Sequence, residues 1–334
     1  MNYSLILYSI GFLLVALAGA MIPPAILDWV YGDVNWLVFA KACPLTIIIG
    51  LLLLFACKPI YKIDLTLKDT FLLTCLAWMS VAFFAALPFI LSHQSVTLTN
   101  SFFEALSGLT TTGASIMPGI DYASRGIILW RALLQWLGGV GILVMAMVIM
   151  PILRVGGLQL FRNDFSDRSE KIYPKMSQVA HSILTVYSGL TVVCSLCLWL
   201  AGMPPFESIC YGLSTLSTGG FSTSFDSINA FHDSFVSLIL MVFMTLGAMT
   251  LVLFVKILRG DWKAFFHDIQ IQAFVGVIII AGLLLSFYLI TQGHLWHDAF
   301  YHGFFHVISI ITTTGYTLST SLFWEPFCCV LFLI

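Results

Sequence analysis

Three short runs of hydroxyl residues and glycine interrupt an otherwise apolar chain: SGLTTTGAS at 107–115, STLSTGGFS at 214–222 and SIITTTGYT at 309–317. Threonine clusters are poor material for continuing a helix, and glycine admits positive φ. Aligned on a glycine, the runs read Thr110-Thr111-Thr112-Gly113, Leu216-Ser217-Thr218-Gly219 and Thr312-Thr313-Thr314-Gly315. These glycines are 106 and then 96 residues apart, an internal repeat with a period near one hundred. The chemistry on offer is that of backbone oxygen. A short helix entering a membrane from outside points its partly negative C-terminal end inward. An extended run after it can turn several carbonyls toward one axis, where they replace an ion's water. The runs carry no carboxylate, so selectivity would come from dipoles. That favours K⁺ or another weakly hydrated monovalent cation over Ca²⁺, which takes carboxylate-rich sites. One shared glycine per run predicts looser discrimination than two would.

The elements that must hold these runs are membrane helices. The 334 residues are 60% hydrophobic and 9% charged, with mean hydropathy +1.00, which excludes an ordinary soluble domain. A spanning helix needs about 20 apolar residues. By that measure spans are expected near 4–26, 37–57, 70–91, 126–150, 179–201, 235–258 and 270–290, with an eighth starting near 322. Segments too short to span, near 99–110, 205–216 and 298–311, precede the three runs. The expected path is therefore helix, re-entrant half-helix, extended return, helix. Irregular backbone at membrane depth is tolerated only inside protein or along a watery cavity.

Orientation follows from basic residues. Loops at 58–69, 151–178 and 256–269 hold Lys58, Lys62, Lys68, Arg154, Arg162, Arg168, Lys171, Lys175, Lys256, Arg259 and Lys263, 11 of the 14 lysines and arginines. The positive-inside rule puts these loops and the N-terminus in the cytoplasm, and all three threonine–glycine runs on the outer side. The net charge of −2 gives no sign of nucleic-acid binding.

Other residues are weighed against duller roles. Arg131, about two turns into its span, is expected to pair with Glu104 on the first short helix; direct influence on an ion is the alternative. Glu207 and Asp298 suit the N-terminal turns of the other two short helices. GGVG at 138–141 lies inside an apolar span with no preceding strand, so close helix packing explains it better than a nucleotide loop. His302 and His306 share a helix face, yet no matching pair stands on another span, which weighs against a metal or haem site. Cys194 and Cys197 read as small packing residues, and no disulfide framework is visible. With no buried acid outside the short helices to relay protons, channel-like passage is favoured over coupling to H⁺ or Na⁺, though either stays open.

These runs, together with WRALLQWLGGVGILVMAMVIMPILRVGGLQLFR at 130–162, resemble bacterial TrkH/KtrB-type potassium uptake proteins, the TrkH branch in particular, since two further helices precede the first repeat. The resemblance implies an all-α polytopic membrane protein of M1–pore-loop–M2 repeats around one pore. The parts would be 1–69 (two extra helices and a loop), 70–178, 179–269 and an incomplete third repeat, 270–334. It implies a filter at Thr110 to Gly113, Ser217 to Gly219 and Thr312 to Gly315, with K⁺ as transported ion and no cofactor. It also implies a homodimer, a cytosolic nucleotide-binding partner of the TrkA kind docking on the basic loops, and the bacterial inner membrane. The family has four filter segments and this sequence shows three. The expectation is a chain cut before the fourth repeat, with a non-conducting remnant or, less well supported, a membrane metal or haem oxidoreductase as rivals.

Overall fold

The computed structural model describes residues 3–58, 67–92, 97–153, 176–225, 228, 234–258, 260, 262–263 and 267–318. Among these residues the regular structure is helical, with no strand. Five helical segments are long and apolar enough to cross a membrane, six if one bent pair counts as a span. Residues 154–175 and 319–334, which carry most of the long basic loop and the last apolar run, lie outside the described residues.

The chain divides into two compact units, the first comprising residues 1–110 and 114–180. It opens with α1 (Tyr3–Ala20), α2 (Ile22–Val30) and α3 (Trp36–Ala56). Glycine lets α1 and α3 approach closely: a Cβ on Gly11 would stand 2.8 Å from the Gly50 carbonyl oxygen. The first short helix is preceded by α4 (Leu67–Ala85) and α5 (Leu87–Leu91), with Pro88 in the first turn of α5. The short helix itself, α6 (Leu98–Leu109), is capped at its start by the Thr97 hydroxyl, which accepts from the Asn100 amide. α7 (Arg125–Leu153) follows. Trp130 of α7 is fully buried, donates to the Ala85 carbonyl at the α4–α5 junction, and meets Phe39 edge-on.

The second unit comprises residues 111–113 and 181–334. Its helices are α8 (Met176–Leu200, which begins in the first unit), α9 (Pro205–Leu216), α10 (Ser234–Ala248), α11 (Leu251–Leu258), α12 (Ile269–Thr291) and α13 (Trp296–Ile311). Glycine–serine pairs seat the short helices on their long neighbours: a Cβ on Gly303 of α13 would stand 2.5 Å from the Ser286 hydroxyl of α12, and Gly212 of α9 faces Ser195 of α8.

One span departs from expectation. The apolar run at 235–258 is two helices bent by 95°, not one. No proline causes the break. Gly247 lies where a Cβ would stand 3.0 Å from the Leu216 carbonyl, so the end of α10 lies against the end of α9. The Met249 amide then closes a tight turn onto Leu246, and the Leu253 amide bonds Thr250 as a new helix starts.

Candidate functional site

All three short helices end in the same way. Their C-cap residues, Thr110, Ser217 and Thr312, have φ between −84° and −77° and ψ near zero. Each cap hydroxyl donates to the carbonyl four residues back: Thr110 to Leu106 at 2.8 Å, Ser217 to Leu213 at 2.9 Å, Thr312 to Ile308 at 2.7 Å. Their hydroxyl protons therefore serve the helix end, where carbonyls otherwise lack donors.

The next residue does what its side chain resists. Thr111, Thr218 and Thr313 have φ of 53°, 51° and 61°, and among the described residues no other non-glycine residue has positive φ. A β-branched residue in the left-handed region costs about 1–3 kcal/mol and persists only where its surroundings dictate it. Two residues later comes glycine at positive φ: Gly113 (76°), Gly220 (79°) and Gly315 (82°). A serine in each short helix then ties the outgoing limb back. Ser107 donates to the Ala114 carbonyl at 2.6 Å, Ser214 to Phe221 at 3.0 Å and Ser309 to Tyr316 at 2.8 Å, each a span of seven residues.

This geometry corrects the alignment of the second run. The equivalent of Gly113 and Gly315 is Gly220, and Gly219 stands where Thr112 and Thr314 stand. Leu216 is the last residue of α9, equivalent to Leu109 and Ile311, and so lies outside the non-helical run. Two adjacent glycines left the register ambiguous when glycine alone was aligned. The serine would have settled it: S-x-[LI]-[TS]-T-x-G fits all three.

Residues 111–113, 217–220 and 312–315 all belong to the second unit and lie backbone to backbone. A Cβ on Gly113 would run into the Gly219 carbonyl, and one on Gly220 into the Thr314 carbonyl. In each case the glycine of one run meets the carbonyl just before the glycine of the next. Around the Cβ position of Gly315 no described atom lies within 4 Å. Closely set carbonyls without a carboxylate among them can solvate a monovalent cation.

Behind the first run the expected pair is present. Arg131 Nε donates to Glu104 Oε1 at 2.8 Å, and both side chains are about 2% exposed. Arg131 Nη2 and Glu104 Oε1 both engage the Ser115 hydroxyl, and Glu104 Oε2 accepts from the Ile116 amide at 3.1 Å. Burial makes this pair a support for the outgoing limb at 115–116. Glu207 and Asp298 occupy the first turns of α9 and α13. Gly138 admits the Leu109 carbonyl, as Gly247 admits that of Leu216, so each stands against the end of its own short helix. His302 and His306 stack with centroids 6.3 Å apart, and no cluster of three metal-binding side chains occurs among the described residues.

Two features were missed. Asp28 of α2 is fully buried, contrary to the expectation of no buried acid outside the short helices. It accepts from the Gly126 amide at 2.6 Å and the Ser124 hydroxyl at 3.0 Å, and so caps α7 from a distant helix. Every described polar contact of its carboxylate belongs to that cap, so it acts in the structure as a fixed cap. Tyr211, whose hydroxyl is hydrogen-bonded by the side chain and backbone of Thr223, was the second.

The sequence profile of the TrkH family, described as a cation transport protein, matches residues 37–334. The chain belongs to this family. It is 34% identical to the Trk system potassium uptake protein TrkH of Escherichia coli K12 over its whole length and 70% of that relative. It is 37% identical to TrkI of Halomonas elongata, over 77% of this chain and 53% of the relative. The crystal structure of the potassium transporter TrkH from Vibrio parahaemolyticus superposes with a TM-score of 0.89 at 30% identity, covering all of this chain and 69% of the other. The chain thus spans about half to 70% of the length of these family members.

Proposed function

We propose that this chain is the ion-passing membrane subunit of a potassium uptake system in a bacterial inner membrane, with its N-terminus in the cytoplasm. The observation that carries the reading is the shared backbone of the three runs, each with a left-handed threonine, an intervening residue and a left-handed glycine, laid carbonyl against glycine. In a β-strand successive carbonyls alternate sides. Positive φ at every second residue turns them toward a common side, the arrangement needed to replace an ion's hydration shell. The residues proposed to meet the ion are Thr111, Thr112, Gly113, Thr218, Gly219, Gly220, Thr313, Thr314 and Gly315. Thr110, Ser217 and Thr312 close the helices above them. Glu104 and Arg131 support the first run. A fourth run of the same pattern would meet the open side of Gly315. A homodimer and a cytosolic nucleotide-binding subunit of the TrkA kind belong to the same proposal, resting on the family.

The test is growth of a potassium-uptake-deficient bacterium at low K⁺. The strain would express this chain with a TrkA-type subunit, or the chain joined to a fourth repeat, each with and without Gly220→Ser. Rescue that Gly220→Ser removes supports the filter. Rescue untouched by Gly220→Ser, or no rescue by either well-expressed form, overturns it.

A further inference from the structure

The corrected register reveals a position that the three short helices share. Counting three residues back from Ser107, Ser214 and Ser309 gives Glu104, Tyr211 and His306. All three are polar or aromatic-polar and buried, at 2%, 0% and 2% exposure. In the first repeat the side chain here accepts from the amide of Ile116, nine residues after Ser107. In the second, Tyr211 engages the side chain and backbone of Thr223, nine residues after Ser214. Two unlike groups thus reach the same point on the outgoing limb. A carboxylate does so with Arg131 beside it. A phenol does so without a charge, its ring packed against Tyr316 with centroids 5.6 Å apart.

From this coincidence we infer that the residue three before the serine braces the first and second runs, and that Tyr211 is the positioning residue of the second. This rests on the reading of the runs as a cation filter. Tyr211 touches no ion; it acts through Thr223, holding the limb that leaves Gly220. With the helix closed at Ser217 and the limb held at Phe221 and Thr223, the left-handed Thr218 lies between fixed points. That is the over-determination a β-branched residue at positive φ requires. Tyr316, the residue after Gly315, returns its hydroxyl to Thr215 at 3.3 Å, so Tyr211 lies where the second and third runs are tied together. His306 holds the corresponding position in the third helix, where its ring packs against His302 and Phe305 of the same helix.

The decisive experiment is hydrogen–deuterium exchange by mass spectrometry on the purified full chain in detergent. Wild type, Tyr211→Phe and Thr223→Val would be compared, each in K⁺ and in Na⁺. Loss of the phenol should speed exchange across 217–224 by about five- to ten-fold in Tyr211→Phe and by less in Thr223→Val, with 107–118 unchanged. Tyr211→Phe keeps the ring and removes both contacts with Thr223, whereas Thr223→Val removes only the side-chain one. The double variant should be no faster than Tyr211→Phe alone. Unchanged exchange at 217–224, additive effects, or acceleration spread equally over α6, α9 and α13 would overturn the brace. The cation arm answers a separate question. Slower wild-type exchange at 110–114, 217–221 and 312–316 in K⁺ than in Na⁺ is expected of a filter. Its absence would sink the filter reading and leave the outcome for the brace intact.

Discussion

The first and second runs have the same backbone and are supported by different chemistry. Behind the first, Glu104, Arg131 and Ser115 form a charged cluster that is almost wholly buried. Behind the second, Tyr211, Thr223 and the Tyr316 ring supply neutral hydroxyls and aromatic surface. A buried ion pair repays its desolvation only when both members are present, and removing one leaves an uncompensated charge. A buried phenol that loses its partner forfeits one hydrogen bond. The same conformation is therefore fragile in one repeat and tolerant in another. The local fold dictates where a support must reach, not what it is made of.

The largest expected effect breaks the charged side of this comparison. Arg131→Met should destabilise the protein by about 3–5 kcal/mol, read as a lower unfolding temperature in detergent, because Glu104 stays buried without its cation. Adding Glu104→Met should recover most of that loss; a double variant as unstable as the single one would mean that the pair does not act as a unit. Next comes the contrast between glycines. Gly220→Ala drives a methyl group into the Thr314 carbonyl and should abolish K⁺-dependent growth. In this chain alone Gly315→Ala meets no described atom, so by left-handed strain of about 1–2 kcal/mol it should lower the unfolding temperature less than Gly220→Ala does. Equal effects would deny that backbone approach sets the requirement at Gly220. Replacing Thr218 by glycine should raise stability by about 1 kcal/mol while lowering K⁺/Na⁺ discrimination in uptake, since strain is relieved and the limb loosened. An unchanged or lower unfolding temperature would show that the strain is offset by side-chain contacts. The smallest effect belongs to Asp28→Asn, which keeps the cap but removes its charge. A loss of about 1 kcal/mol or less is expected by the same thermal assay.

Much of this was legible in the sequence. The short helices at 98–109, 205–216 and 296–311 fall close to where apolar runs of insufficient length placed them. The Glu104–Arg131 pair followed from the cost of leaving either charge alone in an apolar setting. What escaped has identifiable causes. The register of the second run turned on Gly219 against Gly220, and only φ and the Ser214 bond separate the two. The 95° break near Met249 carries no proline to mark it; beside it Gly247 packs on the end of α9, a contact 31 residues away in the chain. Asp28 sits in LDWVYGD, where an acid near the end of a span passes for a loop boundary. Its partners, Ser124 and Gly126, are nearly one hundred residues away.

Gly113 and Gly220 each meet the backbone of the next run at the peptide group just before its glycine, so at these two contacts the neighbour is met through backbone alone. The contact itself makes no demand on the side chain there, which in Thr314 bonds the Thr312 hydroxyl at 2.8 Å instead. Thr112, Gly219 and Thr314 occupy this place, the one position among the central four where threonine and glycine have exchanged. At the glycine that follows, a change in any one copy must be answered by the next.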